Sequence, residues 1–246
     1  GHQRYASTRE GNRIGDAREA ADWVSYCNDP SNRERRAHGH ADPLPIKLWQ
    51  LGNETSYGQD GFTLDQAIAT TQEFAKAMRE RDRTIELIGW GDRGREVELW
   101  APQMIRRAGE HLNYIAIHMM GQSPRRKDTV LSGTRYQANI PQAWAELNEL
   151  ADRVEQRTRQ IVDVVRAEKT PVKVAITEGH LSLSPHNANP ILLEWLSAVY
   201  HARSMNTYQR LGGDVRIATC ADFNGTRWTV SAVMIPVPRG NSFLTP

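Results

Sequence analysis

The chain has 246 residues, and 31 Lys and Arg residues against 29 Asp and Glu residues leave a formal net charge of +2. With 39% hydrophobic and 24% charged residues, the composition is that of a globular protein and excludes a disordered or collagen-like chain. The sequence contains no apolar run of eighteen residues, so it predicts no membrane span. Its Arg residues are scattered rather than clustered, so it predicts no nucleic-acid surface.

The first ten residues lack the apolar core of a secretory signal, which predicts a cytoplasmic location. Cys27 and Cys220 are the two cysteines. They are too few for a disulfide framework or a four-thiolate zinc site, and we expect two buried free thiols.

Strands and helices are predicted to alternate along the sequence. Short apolar runs that end at turn residues predict buried strands over 46–51, 85–89, 114–119, 172–176 and 215–221. Apolar residues at helical spacing predict helices over 16–28, 64–81, 97–112, 141–168 and 190–211. The polar stretches 29–42 and 121–139 are predicted as loops, and the charged run 125–128 as a solvated part of the second loop.

This alternation predicts an α/β protein with a parallel sheet covered by helices, which is either doubly wound or a (β/α)8 TIM barrel. Residues 89–94 match the GxGxxG spacing of a nucleotide-binding turn, but the match is weak because a bulky Trp90 occupies the tight turn. The barrel is favoured because polar and aromatic residues follow the predicted strands. In a barrel these strand ends form the face that carries the active site. The residues in question are Asn53, Glu54, Trp90, Asp92, His118, Glu178, His180, Asp222 and Asn224.

Glu54 and Glu178 each come just past a predicted strand, so a barrel would place both at the same mouth. Two carboxylates in that position are what glycoside hydrolysis requires, one to protonate the leaving oxygen and one to attack the anomeric carbon or activate water. The alternative for each Glu is a structural role, pairing with Arg or capping a helix.

Residues 49–54, Trp-Gln-Leu-Gly-Asn-Glu, resemble the strand-four signature of the retaining glycosidases that share a barrel fold. Together with residues 20–28 and 218–236, they resemble the α-L-arabinofuranosidases of glycoside hydrolase family fifty-one, and the order of elements agrees from about residue 16 onward. The resemblance implies a retaining hydrolase that releases terminal α-L-arabinofuranosyl residues from arabinose-containing oligosaccharides or polysaccharides. It implies no metal and no organic cofactor.

The resemblance also implies roles for individual residues. Glu54 is expected to be the acid/base and Glu178 the nucleophile, with their carboxyls about 5 to 5.5 Å apart as in retaining enzymes. Asn53 is expected to bind the sugar hydroxyl beside the anomeric carbon. His118 is expected to orient a catalytic group or to touch the sugar, with a structural histidine as the alternative. His180, Trp90 and Trp228 are further candidates for substrate binding, with structural packing as the alternative for the two Trp rings.

The predicted strands correspond to strands four to eight of the barrel, so residues 1–246 are expected to form a partial catalytic domain without the first three strands and the accessory β-sandwich. We expect a further segment or a second chain to supply the missing strands, and the resemblance makes a homo-oligomer plausible. Met119 and Met120 stand where the family commonly has an aromatic hydroxyl that supports the nucleophile. Together with the missing strands, this leaves open a non-catalytic carbohydrate-binding or assembly subunit. A related glycosidase acting on xylosides or β-glucans also stays open, because glycosidases of the same clan share the Asn-Glu signature.

Overall fold

The computed structural model describes residues 4–7, 11–57, 61–93, 97–185, 188–219, 224–225, 233–234 and 243–244. The chain forms two compact units. The first comprises Gly1–Ala116 with Val164–Lys173, and the second Ile117–Asp163 with Val174–Pro246.

The first unit begins with an antiparallel pair of strands and continues with alternating helices and parallel strands. Its elements are β1 (Arg4–Ser7), β2 (Gly11–Ile14), α1 (Ala17–Asn28), α2 (Arg33–Ala37), β3 (Leu48–Leu51), α3 (Leu64–Arg81), β4 (Glu86–Trp90), α4 (Val97–Ala108), a 3-10 turn (Gly109–His111) and the start of β5 (Tyr114–Gln122). The strand order in the parallel sheet is β3-β4-β5. Leu51 pairs with Gly89 and Ile88 with Tyr114, so the strands run in register toward a common carboxyl edge.

Side-chain caps define where the helices of this unit begin. The Asp16 side chain accepts a hydrogen bond from the Glu19 backbone N–H at the start of α1. Thr63 and Gln66 form a capping box at the start of α3, each side chain bonding the other residue's backbone N–H. α1 packs on α3, and their buried faces are apolar, including Val24 on the first helix.

The second unit is built from a second set of alternating elements. They are the remainder of β5, a 3-10 turn (Arg135–Ala138), most of α5 (Ile140–Ala167), β6 (Lys173–Ser182), a 3-10 turn (Pro190–Leu193), α6 (Trp195–Arg210), β7 (Val215–Ala218), β8 (Asn224–Gly225), β9 (Val233–Met234) and β10 (Phe243–Leu244). The strand order is β5-β6-β7, with β6 and β7 parallel, and the last three strands form a separate small sheet.

Polar contacts fix α5 beside α6. The Arg203 guanidinium donates to Asn148 Oδ1 and to Asp152 Oδ1, both at 2.6 Å. One turn further along both helices, the Thr207 hydroxyl donates to Glu155 Oε2 at 3.2 Å. Because both members of each pair advance in the same direction, the two helices run parallel, as crossover helices in a βαβαβ arrangement do.

The predicted α/β class and the order of the main helices and strands are confirmed, while several element ends differ. β6 continues to Ser182, so Glu178 and His180 lie within the strand instead of just past it. The helix predicted over 190–211 is a 3-10 turn followed by α6, with Glu194 between them. β1, β2 and α2 are not predicted. In the described part of the chain, no helix is both long and apolar enough to cross a lipid bilayer.

Candidate functional site

Glu54 lies in a tight turn that follows β3 in the first unit. Gly52 has φ +82° and a Cβ there would come within 2.8 Å of Thr55 Cγ2, so the turn requires glycine at this position. Glu54 itself has φ 52°, in the left-handed region that a non-glycine residue rarely adopts. Its carbonyl accepts a hydrogen bond from the Tyr57 N–H at 3.0 Å. The turn therefore holds an exposed carboxylate in a strained backbone conformation, a feature that is enriched at functional sites.

Asn53 precedes Glu54 and is also exposed. The Gln50 side-chain amide donates to the Gly52 carbonyl at 2.8 Å and lies 3.5 Å from Asn53 Oδ1. The Gln50 side chain, on β3, therefore supports the beginning of the turn that carries Glu54.

A buried hydroxyl fixes the other end of this turn. Ser56 is 4% exposed. Its Oγ accepts a hydrogen bond from the Trp90 indole N–H at 2.9 Å and donates to the Asp92 carbonyl. The Arg93 guanidinium donates to the Ser56 carbonyl at 3.0 Å. The segment that carries Glu54 is therefore bound to the end of β4 by three hydrogen bonds. Sequence reasoning missed Ser56, because a serine in a turn carries no signal of what its hydroxyl contacts.

Trp90 ends β4 and is 1% exposed. Its ring packs edge-on against Tyr57, with ring centroids 6.1 Å apart, and its N–H is used by Ser56. This environment favours the packing alternative over a sugar-binding wall for Trp90. Asp92, the other polar residue past this strand, is 2% exposed.

An apolar cleft lies beside the Glu54 turn within the first unit. It is bounded by α1, α3 and β3, and its lining includes Trp23, Trp49, Gly52, Phe62, Phe74 and Trp90. The lining also includes the polar side chains of Gln50, Thr55, Thr70 and Thr71, while the indole N–H groups of Trp49 and Trp90 already donate to the Ile46 carbonyl and to Ser56.

Glu178 lies in β6 of the second unit between two histidine rings. His118 Nδ1, on β5, is 3.5 Å from Glu178 Oε2. His180 Nδ1, two residues further along β6, is 3.4 Å from Glu178 Oε1. Both histidine side chains are 3% exposed and that of Glu178 is 20% exposed. The structure therefore brings together three of the predicted site residues, with His118 and His180 on either side of the partly accessible Glu178 carboxylate.

Three residues discussed from the sequence fall outside the described residues, namely Cys220, Asp222 and Trp228. Cys27 is a half-buried free thiol, less enclosed than predicted, and burial raises its pKa above the ordinary value.

The fold is that of proteins built on a barrel of alternating strands and helices. The structure of a family 51 α-L-arabinofuranosidase from Bifidobacterium longum superposes with a TM-score of 0.75 at 18% identity, covering 94% of this chain and 48% of the other. Identity at this level supports the fold alone, and it confirms the α/β fold class with five strands of a (β/α)8 barrel.

Sequence comparison gives the family. The family model described as "Alpha-L-arabinofuranosidase 1 domain" matches residues 6–139, more than half of the chain. The chain belongs to this family. The matched stretch contains Glu54 and His118 and ends before Glu178.

Curated relatives agree with that assignment. An intracellular exo-α-(1→5)-L-arabinofuranosidase 1 from Bacillus subtilis is 34% identical over 108 residues, which is 40% of this chain and 22% of the relative. An intracellular exo-α-(1→5)-L-arabinofuranosidase from Streptomyces lividans is 32% identical over 109 residues, 41% of this chain and 16% of the relative. The matched part thus spans about a fifth of these proteins, and the chain covers less than half of the Bifidobacterium longum structure.

Proposed function

We propose that this chain carries the two catalytic carboxylates of a retaining glycoside hydrolase that releases terminal α-L-arabinofuranosyl residues from arabinose-containing oligosaccharides or polysaccharides. The observation that carries the proposal is the family match over residues 6–139, which includes the strained turn of Gly52, Asn53 and Glu54. The names of the Bacillus subtilis and Streptomyces lividans relatives also support an intracellular site of action.

Glu178 is the proposed nucleophile. One of its oxygens attacks the anomeric carbon as the bond from that carbon to the leaving oxygen breaks. Glu54 acts as the acid and donates a proton to the leaving oxygen, so the alcohol departs neutral and a glycosyl ester on Glu178 remains. In the second step Glu54 removes a proton from water, the water oxygen bonds to the anomeric carbon, and the Glu178 carboxylate is released. Asn53 binds the hydroxyl beside the anomeric carbon.

The two carboxyls differ in how far they are exposed to solvent. Glu178 is largely enclosed, and each of its carboxylate oxygens faces an imidazole nitrogen. Glu54 is exposed in its turn, where it can exchange protons with water between the two steps.

Covalent labelling tests the proposal. The purified chain is incubated with an arabinofuranose-configured mechanism-based inactivator, and the adduct is located by intact mass and peptide mapping. We expect a single adduct on Glu178 and no adduct in Glu178→Gln. The matched control is Glu149→Gln, an exposed glutamate in the same unit, which should label like the wild-type chain.

Glu54 is tested through the second step. In Glu54→Ala, an inactivator with an activated leaving group should still label Glu178, because little acid assistance is needed, while turnover of the glycosyl enzyme should be slow and restored by azide. Labelling with xylose- or glucose-configured reagents instead would point to a related glycosidase. Sugar binding without any adduct in folded protein would mean that the chain only binds carbohydrate, and would contradict the proposal.

A further inference from the structure

His180 lies where β6 places its side chain on the same face as that of Glu178. The strand is extended from Lys173 to Ser182, and in an extended strand residues i and i+2 project to the same side. The spacing alone would leave the two side chains parallel. In this structure they also converge, because His180 Nδ1 approaches Glu178 Oε1 to 3.4 Å, an ion-pair distance without the geometry of a hydrogen bond.

The second oxygen of the same carboxylate faces a different imidazole. His118 Nδ1 lies 3.5 Å from Glu178 Oε2, so each carboxylate oxygen has its own histidine. Both imidazoles present the same ring nitrogen, Nδ1, to the carboxylate. A carboxyl group with a contact on each oxygen is restrained in its rotation about the last side-chain bond, which is otherwise a broad and soft torsion.

We propose that His180 is a positioning residue that holds the Glu178 carboxylate in the plane required for attack, with His118 as its counterpart on the other oxygen. This inference rests on the proposed function, since it assigns Glu178 as the nucleophile. His180 acts through Glu178 and is not proposed to contact the sugar, in contrast to the substrate-binding role predicted for it from the sequence.

Burial gives His180 the rigidity that such a role needs. Its side chain is 3% exposed, so the surrounding atoms restrict its rotamer and the position of Nδ1 is set by the strand itself. A positioning group of this kind acts by keeping the attacking oxygen in near-attack geometry, and a displacement of about 1 Å can cost on the order of a hundredfold in rate. Whichever oxygen of Glu178 attacks, the other keeps its contact with one imidazole.

The contact itself can be tested without any substrate. Long-range ¹H–¹⁵N NMR spectra of the histidine rings report the tautomer and the hydrogen bonding of each nitrogen. Replacement of the carboxylate in Glu178→Gln should shift the Nδ1 resonances of His180 and His118. The matched control is His201, a largely buried histidine on α6 of the same unit, whose burial lowers its pKa to about 4. Its resonances should stay in place.

Two substitutions then separate positioning from packing. His180→Asn retains an N–H close to the position of Nδ1, whereas His180→Phe retains a planar ring but no donor. We expect the inactivation rate constant for labelling of Glu178 to fall about a hundredfold in His180→Phe, with the apparent affinity for the inactivator unchanged. His180→Asn should recover most of that loss. His201→Gln should label like the wild-type chain, and thermal melts should show that all variants fold.

The outcomes distinguish this inference from the proposed function. Labelling at the wild-type rate in folded His180→Phe, or a weakened affinity with an unchanged rate constant, would overturn the positioning role. A His180 Nδ1 resonance that does not shift in Glu178→Gln would also overturn the positioning role. If the wild-type chain is not labelled at all, the proposed function fails, and a positive NMR result would then leave His180 as a structural partner of Glu178 with no role in a glycosyl-transfer step.

Discussion

Ser56 links the Glu54 turn to the end of β4 through a hydroxyl that both accepts and donates a hydrogen bond. Ser56→Ala would leave the buried Trp90 N–H without this acceptor, and an unsatisfied buried donor costs about 1 to 3 kcal/mol. We therefore expect the free energy of unfolding to fall by about that amount, measured by urea denaturation at neutral pH.

The control for this prediction is Ser184→Ala, since Ser184 is exposed and carries the same small side chain. It should change the free energy of unfolding by less than about 0.5 kcal/mol, as surface substitutions usually do. Equal stabilities of the two variants would show that the hydroxyl of Ser56 does not hold the turn.

Single residues show how far sequence reasoning reaches at this scale. The apolar run before Glu54 predicts that this residue follows a strand, and it lies just past β3, because such a run ends where the chain leaves the core. For Trp90, the sequence predicts a position at a strand end and leaves sugar binding and packing as alternatives. In the structure the ring is buried against Ser56 and Tyr57. Which neighbour receives an indole N–H depends on a contact between residues 34 positions apart, which local spacing does not encode.

At the scale of elements, the loop predicted over 121–139 contains the end of β5 and a 3-10 turn, and its charged run 125–128 is exposed as predicted. Glu146 on α5 is 1% exposed and ties this segment to the helix. It accepts hydrogen bonds from the Thr129 hydroxyl and the Val130 N–H, and Arg126 Nη2 lies 3.0 Å from its Oε1. Arg126, within this exposed charged run, also pairs with the buried carboxylate of Glu146.

The hydrogen bonds and the ion pair of Glu146 make the stability of the chain depend on pH. Burial alone would raise the pKa of Glu146. Hydrogen bonds donated by Thr129, Gln142 and Arg126 outweigh that effect, so the pKa lies below its ordinary value of 4.5. Because the unfolded chain takes up the proton first, the contribution of Glu146 to stability is full above about pH 4.5 and is lost as the pH falls through the lower folded-state value.

We expect Glu146→Gln to be less stable than the wild-type chain at pH 6, with the difference shrinking progressively as the pH falls below about 4.5, the ordinary value for this carboxyl. Urea unfolding across this range measures the difference. Glu149→Gln removes a more exposed carboxylate that also pairs with Arg126 and should show a small difference. A gap between wild-type and Glu146→Gln that stays constant with pH would contradict the prediction.

The sequence predicted the principal elements because apolar periodicity is set by what each element buries. It missed α2, whose five residues hold one buried side chain, Arg35. The Arg35 guanidinium donates to the carbonyls of Tyr26 at 2.8 Å and Asp29 at 2.7 Å. From sequence alone, an arginine that is buried and donates to backbone carbonyls cannot be distinguished from a solvated arginine. The end of β6 was misplaced for a related reason, because the apolar run stops at Thr177 while the extended backbone continues to Ser182.

At the scale of the whole chain, apolar surface remains exposed along the first strand of the parallel sheet. β3 has one hydrogen-bonded neighbour, β4, among the described residues. Leu44, Ile46 and Leu48, in and just before this strand, are 40%, 43% and 42% exposed, and Trp23 on α1 is 50% exposed. An edge strand with apolar neighbours is a template for pairing with a further strand.

We therefore expect the purified 27.8 kDa chain to associate in solution through this edge. Sedimentation velocity at micromolar concentrations should give a mass above that of a monomer, with a distribution that shifts upward as concentration rises. The paired substitution Ile46→Lys and Leu48→Lys should lower the mass toward the monomer, because a charged edge resists strand pairing. Leu99→Lys, which charges a residue 69% exposed on α4, should leave the association unchanged. A monodisperse 27.8 kDa species that melts cooperatively at every concentration would show that the edge needs no partner, and would contradict the expectation that a further segment or second chain covers it.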